Sequence, residues 1–320
     1  MNQIVTIILP VFGLIAIGYA AGRWKKAPAG ALGWLHFLVF MVALPALFFH
    51  AVARTPLELM MGWPFVLTAA FGTYCAFAVA FSIAALANRG QVPEATIEGL
   101  TGSYSNGLYL APALAAAAFG PAALAPTALL VSIDHVLFVA LVPAMMALGD
   151  TNRTDTGALL SRIGRGIMRQ PAVLATVAGL AVAATGLSLP SAVSELLSLL
   201  GAAAGPGALF ALGVTLALQQ PKRVPADTAL MISLKLLLHP LIIYLLMTWI
   251  GGFDRLWVYT AVLIAALPPA VGIASFARQY RMRTDRISAA SFIATVLSVV
   301  TLIGLIWLML DGRLPVETLR

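Results

Sequence analysis

Charged side chains are scarce in this chain: 10% of its 320 residues are Asp, Glu, Lys or Arg, against 61% apolar. Soluble domains carry about 25% charged residues, so a soluble globular class is excluded. A single cysteine, Cys75, rules out an intramolecular disulfide and any cysteine-based metal or redox motif. It lies in an apolar run, where a small buried role is expected. Acids are few, and only Asp134 falls deep inside an apolar run. That excludes an intramembrane prenyltransferase, which needs clustered aspartates for Mg²⁺–diphosphate. It also excludes an intramembrane aspartyl protease, which needs two. No Walker A sequence is present, so ATP drive would require a separate protein. No histidine has the HExxH or i, i+4 carboxylate spacing of a metal site, and neither metal nor organic cofactor is expected. The net charge of +7 comes without interleaved basic and aromatic residues, so nucleic acid is not an expected partner.

What is present is a series of apolar runs of membrane-spanning length. Ten are expected, at roughly 3–21, 34–53, 62–87, 99–119, 124–148, 171–187, 195–218, 229–250, 256–277 and 287–310. The first, MNQIVTIILPVFG onward, lacks a basic n-region and a cleavage site and is read as an uncleaved span. The sixth ends at the turn residues Gly186, Ser188 and Pro190. Fourteen of the nineteen cations fall in the odd-numbered loops, four in the others, and Lys235 lies inside span eight. This asymmetry predicts cytoplasmic odd-numbered loops and two extracytoplasmic termini.

The longest loop, 149–170, separates two five-span halves, 1–148 and 171–320. Five is odd, so the halves enter the membrane in opposite senses and an inverted repeat is expected. Pro10 and Pro171 are 161 residues apart, as are Pro45 and Pro206. Within the loop, Arg162, Arg165 and Arg169 recur at helical spacing among Leu and Ile. A short amphipathic helix on membrane lipid is expected there.

Two spans are interrupted. Span four carries GSYSNGLYLAP at 102–112, with Gly102, Tyr104, Asn106, Gly107 and Pro112; span nine carries Pro268, Pro269 and Gly272. In hydrocarbon, irregular backbone is tolerated only where protein or a wet cavity satisfies it. Interrupted spans at corresponding places in two halves point to a transporter's substrate site. Half-helix N-termini aimed at a crossing suit an anion, and the Asn106 amide could donate to a carboxylate.

These residues also carry a resemblance. The pattern N-G-x-x-x-x-P of 106–112, FGP at 119–121, LKLLLHPL at 234–241 and AALPPAVGIASFARQY at 265–280 resemble the auxin efflux carrier family. That family includes bacterial malonate- and malate-type permeases and the PIN-type auxin carriers. The resemblance implies an all-α, ten-helix membrane fold of two inverted five-helix repeats, like that of sodium–proton antiporters. It implies spans four and nine crossing at their prolines beside the substrate in an elevator-type carrier, and a homodimer in the bacterial inner membrane. Plant members have an asparagine in the span-nine break; here Leu267-Pro268-Pro269-Ala270 has none, and Ser275 is the substitute.

Lys235 is a functional candidate by its depth, with snorkelling to the interface as the ordinary alternative. Asp134 and His135 suit a proton relay; an Asp134–Lys235 ion pair is the structural alternative. His36, His50 and His239 are assigned packing or interfacial roles. The Gly- and Ala-rich stretches of spans four to seven are read as close helix packing, and Trp34, Trp63, Trp249, Trp257 and Trp307 as interface anchors. The expected function is secondary transport of a small organic anion: malonate, malate or an auxin-like aromatic acid. The coupling ion would be a proton or sodium. A channel or an ion–proton antiporter on the same fold is the competing reading.

Overall fold

In the computed structural model, residues 2–24, 29–56, 62–149, 155–219, 228–280, 282 and 284–316 are described. Lys25, Lys26, Arg153, Lys222, Arg223, Arg281, Arg283 and Arg320, which contribute to the charge asymmetry, lie outside them. The described chain is helical: α1 (Asn2–Trp24), α2 (Ala29–His36), α3 (Leu44–Ala53), α4 (Trp63–Ala87), α5 (Val92–Ser103), α6 (Gly107–Phe119), α7 (Leu124–Gly149) and α8 (Thr156–Ile167) come first. There follow α9 (Pro171–Thr185), α10 (Ser191–Ala202), α11 (Ala204–Leu218), α12 (Thr228–Ser233), α13 (His239–Ile250), α14 (Arg255–Ala265), α15 (Ile273–Gln279) and α16 (Asp285–Leu310).

Seven helical stretches among the described residues are long and apolar enough to cross a membrane. An eighth forms if α8 and α9, bent by 71°, are taken together. This is a polytopic helical membrane protein. The expected spans four and nine do not appear as long helices. Each is divided, α5 from α6 and α14 from α15, and α6 and α14 are the short apolar helices left by the division. Span six is also short; it stops at Thr185, and Gly186 closes it at φ +65°, a left-handed cap that suits glycine.

Proline shapes two further spans. α2 and α3 are joined by a π-helical turn, Phe37–Ala43, in which the Leu44 N–H reaches Val39 O. α12 and α13 are joined by another, Leu234–Leu238, in which the His239 N–H reaches Leu234 O. Each wide turn ends two residues before a proline, Pro45 or Pro240. The missing proline N–H leaves the ladder short of a donor, and the i→i+5 bond takes up the slack. The sequence suggests simple kinks here; the structure has π-turns.

Helix packing uses small residues. α1 lies along α11, so close that a Cβ on Gly18 would collide with the Phe210 carbonyl and one on Gly213 with the Ile15 carbonyl. α9 lies along α3, and a Cβ on Gly179 would stand 3.0 Å from the Phe49 carbonyl. Gly179 is 161 residues beyond Gly18, and Phe210 is 161 beyond Phe49. Trp34, Trp63 and Trp249 are exposed as anchors should be, but Trp257 is buried. Its ring packs edge-on against Phe65 at 5.2 Å, so this tryptophan belongs to the core. α8 is amphipathic and capped by Asp155, whose carboxylate accepts from the Gly157 and Ala158 N–H groups.

The contact at Gly18 yields a stability prediction. Gly18→Ala is expected to lower the melting temperature of purified protein sharply, since backbone cannot move aside; overpacking costs about 1–3 kcal/mol or more. Gly13→Ala, where a Cβ meets nothing within 4 Å, is expected to leave it unchanged or slightly raised.

Candidate functional site

The two interruptions meet. Between α5 and α6, Tyr104-Ser105-Asn106 leaves the helix; between α14 and α15, Leu267-Pro268-Pro269-Ala270 does the same. They pair antiparallel, with Ser105 opposite Pro269. The Asn106 N–H donates to Pro268 O at 2.9 Å, and the Ala270 N–H donates to Tyr104 O at 3.2 Å. In this register the two bonds come from the residues flanking the Ser105–Pro269 pair, so the N–H that Pro269 lacks is not needed in the pairing. Each break thus supplies the backbone partners that hydrocarbon cannot, and both are buried.

Proline still leaves a debt in α14. In a continuous helix the Ala265 carbonyl would accept from residue 269, which is Pro269 and has no N–H. Lys235 takes that place: its Nζ donates to Ala265 O in a short hydrogen bond. Lys235 has 0% exposure, so it does not snorkel. Its cation sits at the C-terminal, negative end of α14, where the helix dipole favours it. His239 Nδ1 lies 3.2 Å from the same Nζ, and His239 Nε2 lies 3.3 Å from Thr73 Oγ1. His239 is therefore part of a buried polar chain, not a packing residue.

The alternative Asp134–Lys235 ion pair does not form: no carboxylate oxygen lies within 4.0 Å of Lys235 among the described residues. Asp134 borders a cavity of about 10 Å³ together with Thr73, His239 and Ala265, room for about one water. His135, next in sequence, points elsewhere, its Nδ1 lying 2.8 Å from Tyr104 Oη. The Tyr104 ring stacks on Phe138 at 4.3 Å, and Phe138 meets Phe276 of α15 edge-on at 4.7 Å. Tyr104 thus anchors one break to α7 and, through Phe138, to α15.

The remaining candidates separate. Asn106 stands at the N-cap of α6 but makes no side-chain capping bond. It is 2% exposed, and its Nδ2 has no hydrogen-bond partner. Ser105 Oγ, also buried, is likewise without one. Gly107 begins α6 against Val131, and Gly102 in α5 approaches the Ala80 Cβ. Pro112 is buried within α6, six residues past the pairing, so it does not make the interruption. Ser275 lies on the exposed side of α15, where its hydroxyl accepts from Arg278 at 2.9 Å; the structure does not bring it to Asn106 by any such contact. Ser105 and Thr73 went unnoticed in the sequence, where nothing distinguishes them from other membrane hydroxyls. His239 carried a signal in its i+4 spacing from Lys235. His36 and His50 are engaged too, with Tyr109 Oη at 3.2 Å and Ser194 Oγ at 2.9 Å.

Two divided helices that satisfy one another inside an apolar bundle, leaving buried polar side chains at their meeting point, are the arrangement a membrane transporter uses for its substrate. Comparison with known proteins agrees: a family model described as "Membrane transport protein" matches residues 3–306. A protein of Rhizobium meliloti (strain 1021), named "Putative malonate transporter", is 40% identical over 317 residues, covering 99% of each chain. The chain belongs to this membrane transport protein family, the auxin efflux carriers.

The role of Lys235 is open to measurement. Lys235→Met removes the donor to Ala265 O and leaves a buried carbonyl unpaired. It is expected to cost about 1–3 kcal/mol of stability, read as a lowered melting temperature in detergent. A variant as stable as the parent would show that α14 needs no such cap.

Proposed function

We propose that this protein is a secondary active carrier of a small organic anion, with malonate or a similar dicarboxylate as substrate, working by elevator-type alternating access. One observation carries the reading: Ser105 Oγ and Asn106 Nδ2 are buried without partners where two divided helices pair. Buried polar groups are ordinarily hydrogen-bonded, and both of these can donate. They stand at the N-terminus of α6, whose uncapped N–H groups and dipole favour negative charge. A carboxylate matches that set of donors. The relative's name supports malonate in particular.

The ten-span inverted repeat forms part of the proposal. Gly18 against Phe210 and Gly179 against Phe49 are the same contact displaced by 161 residues with the halves exchanged. Pro10 and Pro171 keep that offset. Such an exchange is what a pseudo-twofold axis in the membrane plane produces, and it supports boundaries near 148 and 171. We take the proton as coupling ion, supported by Asp134, His239 and Thr73 around one water-sized cavity beside the Lys235 cap. A homodimer in the bacterial inner membrane with both termini extracytoplasmic completes the reading.

Proteoliposomes test it. Labelled malonate is expected to enter saturably and to show counterflow, which a channel would not. Asn106→Ala and Ser105→Ala are each expected to lower kcat/KM by roughly 10- to 100-fold with normal melting temperatures, and Pro112→Ala by less. If neither malonate, another dicarboxylate nor an aromatic acid shows saturable uptake, the substrate class is wrong.

A further inference from the structure

A cavity of about 540 Å³ opens between α3, α10 and the turn after α6, lined by His50, Arg54, Thr55, Pro121 and Ser198 among others. Its size is that of a small-molecule site. No carboxylate lines it among the described residues, and Arg54 is its cation. By the charge asymmetry, this end of the bundle is extracytoplasmic, where cations are disfavoured by the positive-inside rule and require a reason.

The other cations described at that end are committed to local partners. Arg255 donates to Tyr259 Oη at 2.9 and 3.0 Å and lies over its ring. Arg313 pairs with Asp311 and stacks over Trp307. Arg54 differs. Its one polar contact among the described residues is with His50 Nε2 at 3.5 Å, too long to hold it, and no ion pair among them includes it. His50 is itself held by Ser194 of α10, which fixes the wall on which Arg54 sits.

The cavity also has a defined place relative to the paired breaks. Pro121 and Ala122 follow Gly120, which ends α6. α6 begins beside Asn106 and runs 13 residues, about 20 Å of helix. Its C-terminal end therefore borders the cavity and its N-terminal end borders the unpartnered donors. A cleft with charge of one sign and low-dielectric walls focuses the field and raises the local concentration of counter-ions.

We infer that this cavity is an extracytoplasmic capture site for small carboxylates, with Arg54 as its anion-binding residue, distinct from the Ser105–Asn106 site and delivering anions toward it. The delivery rests on the carrier reading above; the attraction of anions does not, and the two are tested separately.

The first arm needs no transport. In a Cys75→Ser background, Ser198→Cys places a thiol on the cavity wall. Its modification rates by anionic and cationic methanethiosulfonate reagents are compared. The anionic-to-cationic ratio is expected to fall roughly tenfold when Arg54→Gln is added and to be kept by Arg54→Lys. An unchanged ratio overturns the inference whatever uptake does. The second arm measures labelled malonate uptake from each membrane face. Arg54→Gln is expected to raise KM on the extracytoplasmic face roughly tenfold with the import kcat unchanged; because the transport equilibrium is fixed, kcat/KM for export falls by the same factor. An extracytoplasmic KM that is unchanged overturns the capture role. If the parent protein takes up no carboxylate, the carrier reading fails, and the thiol ratio still decides whether the cavity attracts anions.

Discussion

The structure depends on one exchange of backbone hydrogen bonds, from Asn106 N–H to Pro268 O and from Ala270 N–H to Tyr104 O. An apolar solvent offers no partner to an unwound peptide group, and each one left unmet costs several kcal/mol. One broken helix alone would be untenable. Two that pair across their breaks are tenable, but only where they are packed on every side. The burial of 105–106 and 267–270, the Tyr104–Phe138–Phe276 stack and the tight approach of α5 to Ala80 all serve that enclosure.

Lys235 belongs to the same economy of donors. A double proline removes two N–H groups from one turn, and the Ala265 carbonyl is the acceptor left behind. An ammonium from a neighbouring span replaces the missing donor and opposes the helix dipole as well. This explains why LKLLLHPL and ALPPA sit in adjacent spans of one chain. Two features that look independent in the sequence are halves of one hydrogen bond. The wide turn at 234–238 brings Lys235 and His239 onto the same Nζ-centred contact, joining the cap to Thr73 and the small cavity beside Asp134. A site built in this way leaves Ser105 and Asn106 as the groups with unused donors.

Much of this could be read in the sequence. Composition and run length give the membrane class. Gly102, Asn106 and Gly107, with Pro268 and Pro269, mark the two interruptions, because glycine and proline act locally on the helix that contains them. The amphipathic stretch before α9 was visible in the spacing of its arginines. Other features were not legible. Pro112 drew attention to the wrong end of the span-four break; a proline in α6 proved compatible with helix, while the non-helical residues lay upstream. Ser275 looked like a stand-in for an asparagine, yet it faces outward with Arg278. Asp134 and Lys235, close in the structure, do not touch, and Trp257 went to the core.

The sequence by itself determined that this is a helical membrane protein, that two of its helices must break, and roughly where. Those outcomes follow from local chemistry: the hydropathy of a run, a missing N–H, a missing Cβ. Only the tertiary structure decided which orphaned group each donor would serve. Lys235 could have reached the interface, an acid or a carbonyl, and its own residues are equally consistent with all three. The choice depends on what lies opposite at a separation of 30 residues for Ala265 and 164 for the Ser105–Pro269 pair. Only packing in three dimensions sets those oppositions.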